Sequence, residues 1–110
     1  METEKEYRQS VESGRERRFD SKTGEQIFES HYIDGKKEGE EWEIFEDGRT
    51  LHNRTTRHYR NGKLDGSYHV ESTRDGKPYI TIEGQYTDGE KSGRWKQYNA
   101  TDDTTHEWDE

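Results

Sequence analysis

Ser67, five histidines and a surplus of carboxylates are the residues of this 110-residue chain that could do chemistry. A nucleophilic hydroxyl needs a base within reach and a third group to orient that base. Ser67 and His69 are two apart and would share a strand face. No orienting pocket is implied beside them, so the pair falls short of a triad. His52 and His58 form the one close histidine pair, in a stretch, 48–64, that contains no acid. The carboxylates that would complete a metal site are missing there, and the histidines read as strand-surface residues. Neighbouring acids such as Glu40-Glu41 and Asp102-Asp103 carry no specific message in a chain with 26 Asp and Glu. No glycine loop opens a helix to hold phosphate, and no run of alternating oxygen ligands closes on a glutamate to hold calcium. The sequence predicts no enzyme, no cofactor and no metal.

The elements that carry these residues repeat. Tyr7 precedes Gly14 by seven residues, and Tyr32–Gly39, Tyr59–Gly66 and Tyr86–Gly93 keep that spacing. Successive tyrosines are 25, 27 and 27 residues apart. Gly35, Gly62 and Gly89 each follow their tyrosine by three; Ser10 breaks the pattern in the first unit. A period of this length means that each unit is a supersecondary element that must stack on its neighbours. The chain divides into a degenerate repeat at 7–31 and repeats at 32–58, 59–85 and 86–110, within one domain spanning 1–110.

Asp34-Gly35, Asn61-Gly62 and Asp88-Gly89 are hairpin turn pairs. Asp47-Gly48, Asp75-Gly76, Thr23-Gly24 and Asp102-Asp103 punctuate the other ends. Strands are expected between them, including 40–45, 67–71 and 94–98, and no helical periodicity survives. Pro78 falls at a strand start, where a missing N–H is tolerated. The reading is all-β: an antiparallel meander of stacked β-hairpins with roughly eight strands, forming a single curved sheet or a short solenoid. Tyr68 with Val70, Trp42 with Ile44, and Ile80 with Ile82 should share an apolar face with Phe19, Phe28, Tyr59, Tyr79, Tyr86, Trp95, Tyr98 and Trp108. The other face should be charged. The aromatic stripe could stack on nucleic-acid bases, but core packing suits an acidic chain better.

Only 22% of the chain is hydrophobic and 40% is charged, close to the balance of disordered chains. Three Trp, seven Tyr and three Phe compensate, because aromatic rings bury more area than aliphatic chains. With no cysteine there is no disulfide or thiolate site, and no apolar stretch reaches the length of a membrane span. Net charge is −8 and unevenly spread. Residues 31–47 hold seven acids against Lys36 and Lys37, whereas 48–64 hold five bases. Direct nucleic-acid binding, which rests on neutralising phosphate, is not expected, nor is binding to an anionic membrane.

Tyr59-x-x-Gly62-x-x-x-Gly66-x-Tyr68 and Tyr86-x-x-Gly89-x-x-x-Gly93-x-Trp95-x-x-Tyr98 resemble MORN repeats. The likeness is to the variant found in bacterial antitoxin and immunity proteins, and it covers 31–99 well and 7–30 weakly. Departures are Ser10, Asp103 in place of a turn glycine, and Trp42, which stands three residues after Gly39 rather than two. The resemblance implies stacked hairpins. It also implies a binding protein that neutralises a macromolecular target such as a toxin; with no cysteine and no apolar span, the simplest compartment is a cytoplasm, bacterial or that of a phage's host. A phage-type acidic inhibitor of a nucleic-acid-processing complex and a generic scaffold are the alternatives. The partner would be a protein with a basic surface, met by Glu38, Glu40, Glu41, Glu43, Glu46 and Asp47, with Asp102 and Asp103 in support. Trp42 and Ile44 should turn inward beneath these acids. An exposed edge strand leaves a homodimer open.

Overall fold

A computed structural model describes the backbone of residues 7–12 and residues 14–46 and 50–110 in full. The strands are β1 (Tyr7–Glu12), β2 (Arg15–Asp20), β3 (Gln26–Ile33), β4 (Lys36–Lys37), β5 (Gly39–Glu46), β6 (Leu51–Arg60), β7 (Lys63–Arg74), β8 (Lys77–Thr87), β9 (Glu90–Asn99) and β10 (Thr104–Asp109). They form one antiparallel sheet in chain order, with short β4 pairing to β3. There is no helix among the described residues. The meander of stacked hairpins is therefore present as an open, uncurled sheet measuring 42 × 36 × 15 Å, with β1 and β10 at its edges. It does not close into a solenoid.

The turn pairs act as their chemistry requires. Asn61 and Gly62 both have positive φ, 51° and 83°, as do Asp34-Gly35, Asp75-Gly76 and Asp88-Gly89. That is the turn whose twist matches the flanking strands. Asp47-Gly48 lies outside the described residues. In the first unit the β1–β2 turn falls at Gly14 (φ 75°), so Ser10 sits within β1, where no turn glycine is needed.

Each later unit then carries the same irregularity. Between β6 and β7, the first strand advances from Arg57 to Tyr59 while the second spans Leu64 to Tyr68, leaving two extra residues at Gly66. The β8–β9 pair does so at Gly93, and the path from β4 into β5 does so at Gly39. Such bulges bend the strand and re-aim the side chains beyond it. The turns are also tied to the preceding unit. Gly62 N–H donates to the Lys37 carbonyl and Asn61 N–H to the Glu38 carboxylate; 27 residues on, Gly89 N–H donates to Leu64 and Asp88 N–H to Asp65.

Directly opposed residues share a face, so the register sorts the side chains. One face, the aromatic face, holds Phe28, Tyr68, Val70, Ile82, Tyr86, Trp95 and Trp108. Phe28, Val70 and Trp95 are the buried apolar residues. Trp42 and Ile44 do not join them. Trp42 opposes Glu29 and Thr56, and Ile44 opposes Arg54, on the opposite face, where Arg54 covers the Trp42 ring at 4.8 Å. Tyr98 and Phe19 lie there too. The reason is position: the residue two after the repeat glycine faces the rings, and in this unit that residue is Glu41, whereas Trp42 stands three after Gly39 and so falls on the other face.

Gly84 stands outside the repeat pattern and has a role of its own. Trp95 lies flat on it: a Cβ built there would fall 2.1 Å from the ring. Gly84→Ala should displace Trp95 and cost roughly 1–3 kcal/mol through overpacking, read as a lower melting temperature with a red-shifted tryptophan emission. Gly62→Val should cost a similar ~1–3 kcal/mol for a different reason, strain at positive φ, without changing the emission of the folded protein. An unchanged melting curve for Gly62→Val would contradict the turn assignment.

Candidate functional site

Two residues after each repeat glycine comes a side chain on the aromatic face: Glu16, Glu41, Tyr68 and Trp95. The repeat tyrosines Tyr32, Tyr59 and Tyr86 run beside them. A stripe crosses the sheet whose first half is ionic and whose second half is aromatic.

In the ionic half Glu41 is 1% exposed. Its carboxylate accepts from Lys37 Nζ at 2.6 Å and from Arg57 Nε at 2.7 Å, and Arg57 Nη2 reaches Glu43 at 2.6 Å. Burial alone would raise the Glu41 pKa. The Lys37 hydrogen bond and the charges of Lys37 and Arg57 outweigh it, so the carboxyl is held below its ordinary value. The same contest runs in reverse at Lys37, where burial would lower the ammonium but Glu41 raises it. Glu16 repeats the arrangement at smaller scale, bound by Arg18 at 3.0 Å and by the Tyr32 hydroxyl at 3.1 Å. Burial, then the Glu16 hydrogen bond, raises Tyr32. Tyr59 is raised by burial first and by the Glu41 charge second.

In the aromatic half the rings replace the ions. Tyr68 and Tyr86 meet edge to face at 5.5 Å, Tyr86 and Trp95 do so at 5.5 Å, and Trp108 stacks on Trp95 at 6.3 Å. Lys91 lies over Trp95 at 5.0 Å. These residues, with Ile82 and Gln97, line a shallow cavity of 260 Å³.

The opposite face is different. Four of its carboxylates face histidines: Glu46–His52 at 2.7 Å, Glu29–His31 at 3.2 Å, Glu83–His69 at 3.8 Å and Glu40–His58 at 4.0 Å. Glu107 and Asp109 pair instead with Arg94, at 2.8 and 2.9 Å. A histidine offsets a carboxylate only when it is protonated. The Gly66 bulge brings Ser67 to His58, with Oγ 3.1 Å from Nδ1, and not to His69. The same nitrogen lies 3.1 Å from the Ser67 carbonyl, which only accepts. Among the described residues, no carboxylate is hydrogen-bonded to His58 to orient it as a base. No group of three or more His, Cys, Asp or Glu among the described residues could hold a metal.

The acids singled out in the sequence are scattered by this geometry. Glu40 and Glu46 are exposed on the histidine-bearing face, and Asp102 and Asp103 are exposed at the β9–β10 turn, where Asp103 accepts from the Tyr98 hydroxyl. Glu41 is enclosed rather than exposed, Glu43 is tied to Arg57, and Glu38 accepts the turn N–H of Asn61. Asp47 lies outside the described residues. The acidic segment 31–47 pairs largely with the chain's own basic segment, β5 against β6. A signal for this was present: acids and bases flank a single turn, and Glu41 stands where the two later units carry Tyr68 and Trp95.

No protein-family model, curated protein or solved structure matches the chain.

Because the folded state holds Glu41 below its reference value of 4.5, its stabilising contribution is complete above that pH and is lost as pH falls through the lower folded value. Glu41→Gln should destabilise the protein at neutral pH by roughly 1–3 kcal/mol. That is less than a fully enclosed pair would cost, since Lys37 and Arg57 keep contact with water. The wild-type and variant melting curves should converge as the pH is taken well below 4.5; curves that stay parallel would show that Glu41 is not the titrating group.

Proposed function

We propose that the chain is a non-enzymatic binding protein that neutralises a macromolecular target with a basic surface, acting in the cytoplasm as an immunity protein or antitoxin would. One observation carries the reading: a set of carboxylates on the face opposite the rings has no arginine or lysine partner. On the aromatic face Glu16, Glu41 and Glu43 are each held by arginine or lysine. On the opposite face Arg94 holds Glu107 and Asp109 near the β10 edge. Glu29, Glu40, Glu46 and Glu83 there meet only histidines within ion-pair distance among the described residues, and Glu40, Glu46 and Glu83 keep half or more of their side-chain surface in water. Negative charge that is not cancelled internally is thus displayed on one side of a hydrogen-bonded sheet. A preorganised charge array steers a basic partner and loses little ordering entropy on binding. The proposed contact residues are Glu40, Glu46 and Glu83, with Asp102 and Asp103 at the neighbouring edge. The resemblance of 31–99 to the antitoxin variant of the MORN repeat supports the same class.

The test compares two folded variants in cross-linking capture from cells that produce the chain. Glu40→Lys with Glu83→Lys should abolish capture of a basic protein and leave the circular dichroism spectrum unchanged. Arg54→Glu with Lys96→Glu, on the same face, should not. Capture should also weaken steeply with added salt, because steering is screened beyond about 8 Å at physiological ionic strength. Loss of capture in the second variant and not the first would mean that the partner is acidic.

A further inference from the structure

The aromatic face is left bare by the fold. The chain exposes 7582 Å². A compact chain of its 13.2 kDa mass would expose about 6,400 Å². Its radius of gyration is 15.7 Å, against about 13 Å for a compact domain of this length. The excess surface, on the order of 1,200 Å², compares with the roughly 800 Å² that each partner of a standard interface covers. Both departures have one cause, a single layer 15 Å thick. Sheets in folded domains cover their apolar faces with a second layer about 10 Å away.

We infer that a second copy of this chain supplies that layer, packing aromatic face on aromatic face in a symmetric two-sheet dimer. Two features choose the face and the occupant. Tyr68, Tyr86, Ile82 and Trp108 are still partly in water there, and Phe45, on the same face opposite Asn53, is 57% exposed. The second feature is charge. A chain of net charge −8 meets itself with least repulsion where its carboxylates are already neutralised, as Glu16, Glu41 and Glu43 are and as Glu40, Glu46 and Glu83 on the histidine-bearing face are not. A twofold axis lying in the interface and running across the strands sets β9 over β9, aromatic half on aromatic half. Both acidic faces then point outward, free for the partner proposed above, so the dimer neither requires nor precludes that reading.

Sedimentation at micromolar concentration should give twice the 13.2 kDa chain mass. Small-angle scattering should show a particle thicker than one layer and no longer than a single sheet. Trp108→Glu should weaken self-association by roughly tenfold or more, since a charge is placed in the aromatic half of the interface, against the Trp95 ring. Phe45→Glu should weaken it as well, and because Phe45 is largely exposed the chain folds without its burial; if Trp108→Glu fails to fold, Phe45→Glu decides alone. Trp42→Glu, on the opposite face, should leave the dimer intact. Wild-type protein sedimenting at the chain mass, a dimer that survives the aromatic-face variants, or an elongated particle joined edge to edge would each overturn the inference.

Discussion

A side chain in a one-layer sheet can be covered only by its neighbours on the same face. That constraint governs the structure. In most domains a second layer buries the core, but here Trp95 reaches 2% exposure within a sheet only 15 Å thick. It does so because Gly84 gives up its side chain and lets the indole lie on the backbone, while Tyr68, Tyr86, Trp108 and Lys91 surround the ring. Glu41 is enclosed by the same logic with opposite chemistry. Lys37 and Arg57 close over the carboxylate and cancel the charge they help to bury. Ions and rings are two solutions to one covering problem, placed at equivalent positions of successive repeats.

The division of charge follows from this. The cations that enclose Glu16 and Glu41 are committed to the aromatic face, while on the other face Arg94 serves Glu107 and Asp109 and leaves Glu29, Glu40, Glu46 and Glu83 beside histidines. Buried ion pairs seldom add much net stability over apolar packing, yet they are costly to break. The ionic half therefore acts as a constraint on register as much as a source of stability: Lys37 from β4, Glu41 and Glu43 from β5, and Arg57 from β6 meet only when the Gly39 bulge is in place.

Turns and the repeat were legible because each rests on a local requirement. Asn61-Gly62 and Asp88-Gly89 need positive φ, and few residue pairs supply it. The one-sidedness of the strands was legible in part. Tyr68 with Val70 and Ile80 with Ile82 fall on the aromatic face, since strict alternation holds along those stretches. Alternation holds across the two-residue bulge as well, so Trp42 and Ile44, an odd number of residues from Gly39, fall on the face opposite to the one expected, and Glu41 takes the place an aromatic has at Tyr68 and Trp95. The acidic segment was misleading for a related reason. Seven acids in 31–47 look like a surface for a partner until the next hairpin lays five bases beside them. Composition records the charges; only register shows which are already answered.

The ties that run from each turn to the unit before it have a consequence for assembly in time. Lys37 to Gly62 and Leu64 to Gly89 join groups 25 residues apart, and the other strand pairings link neighbours in sequence, β3 to β5 passing only the two-residue β4. Among the described residues no bond joins the two ends of the array. Its folding is then a zipper, in which a hairpin formed anywhere offers its free edge as a template for the next. Cooperativity decays with distance along the sheet, so opening begins at β1 and β10 and moves inward. Amide protons should be protected in a gradient that is deepest in β7 and β8, where the strands are longest and both neighbours are present.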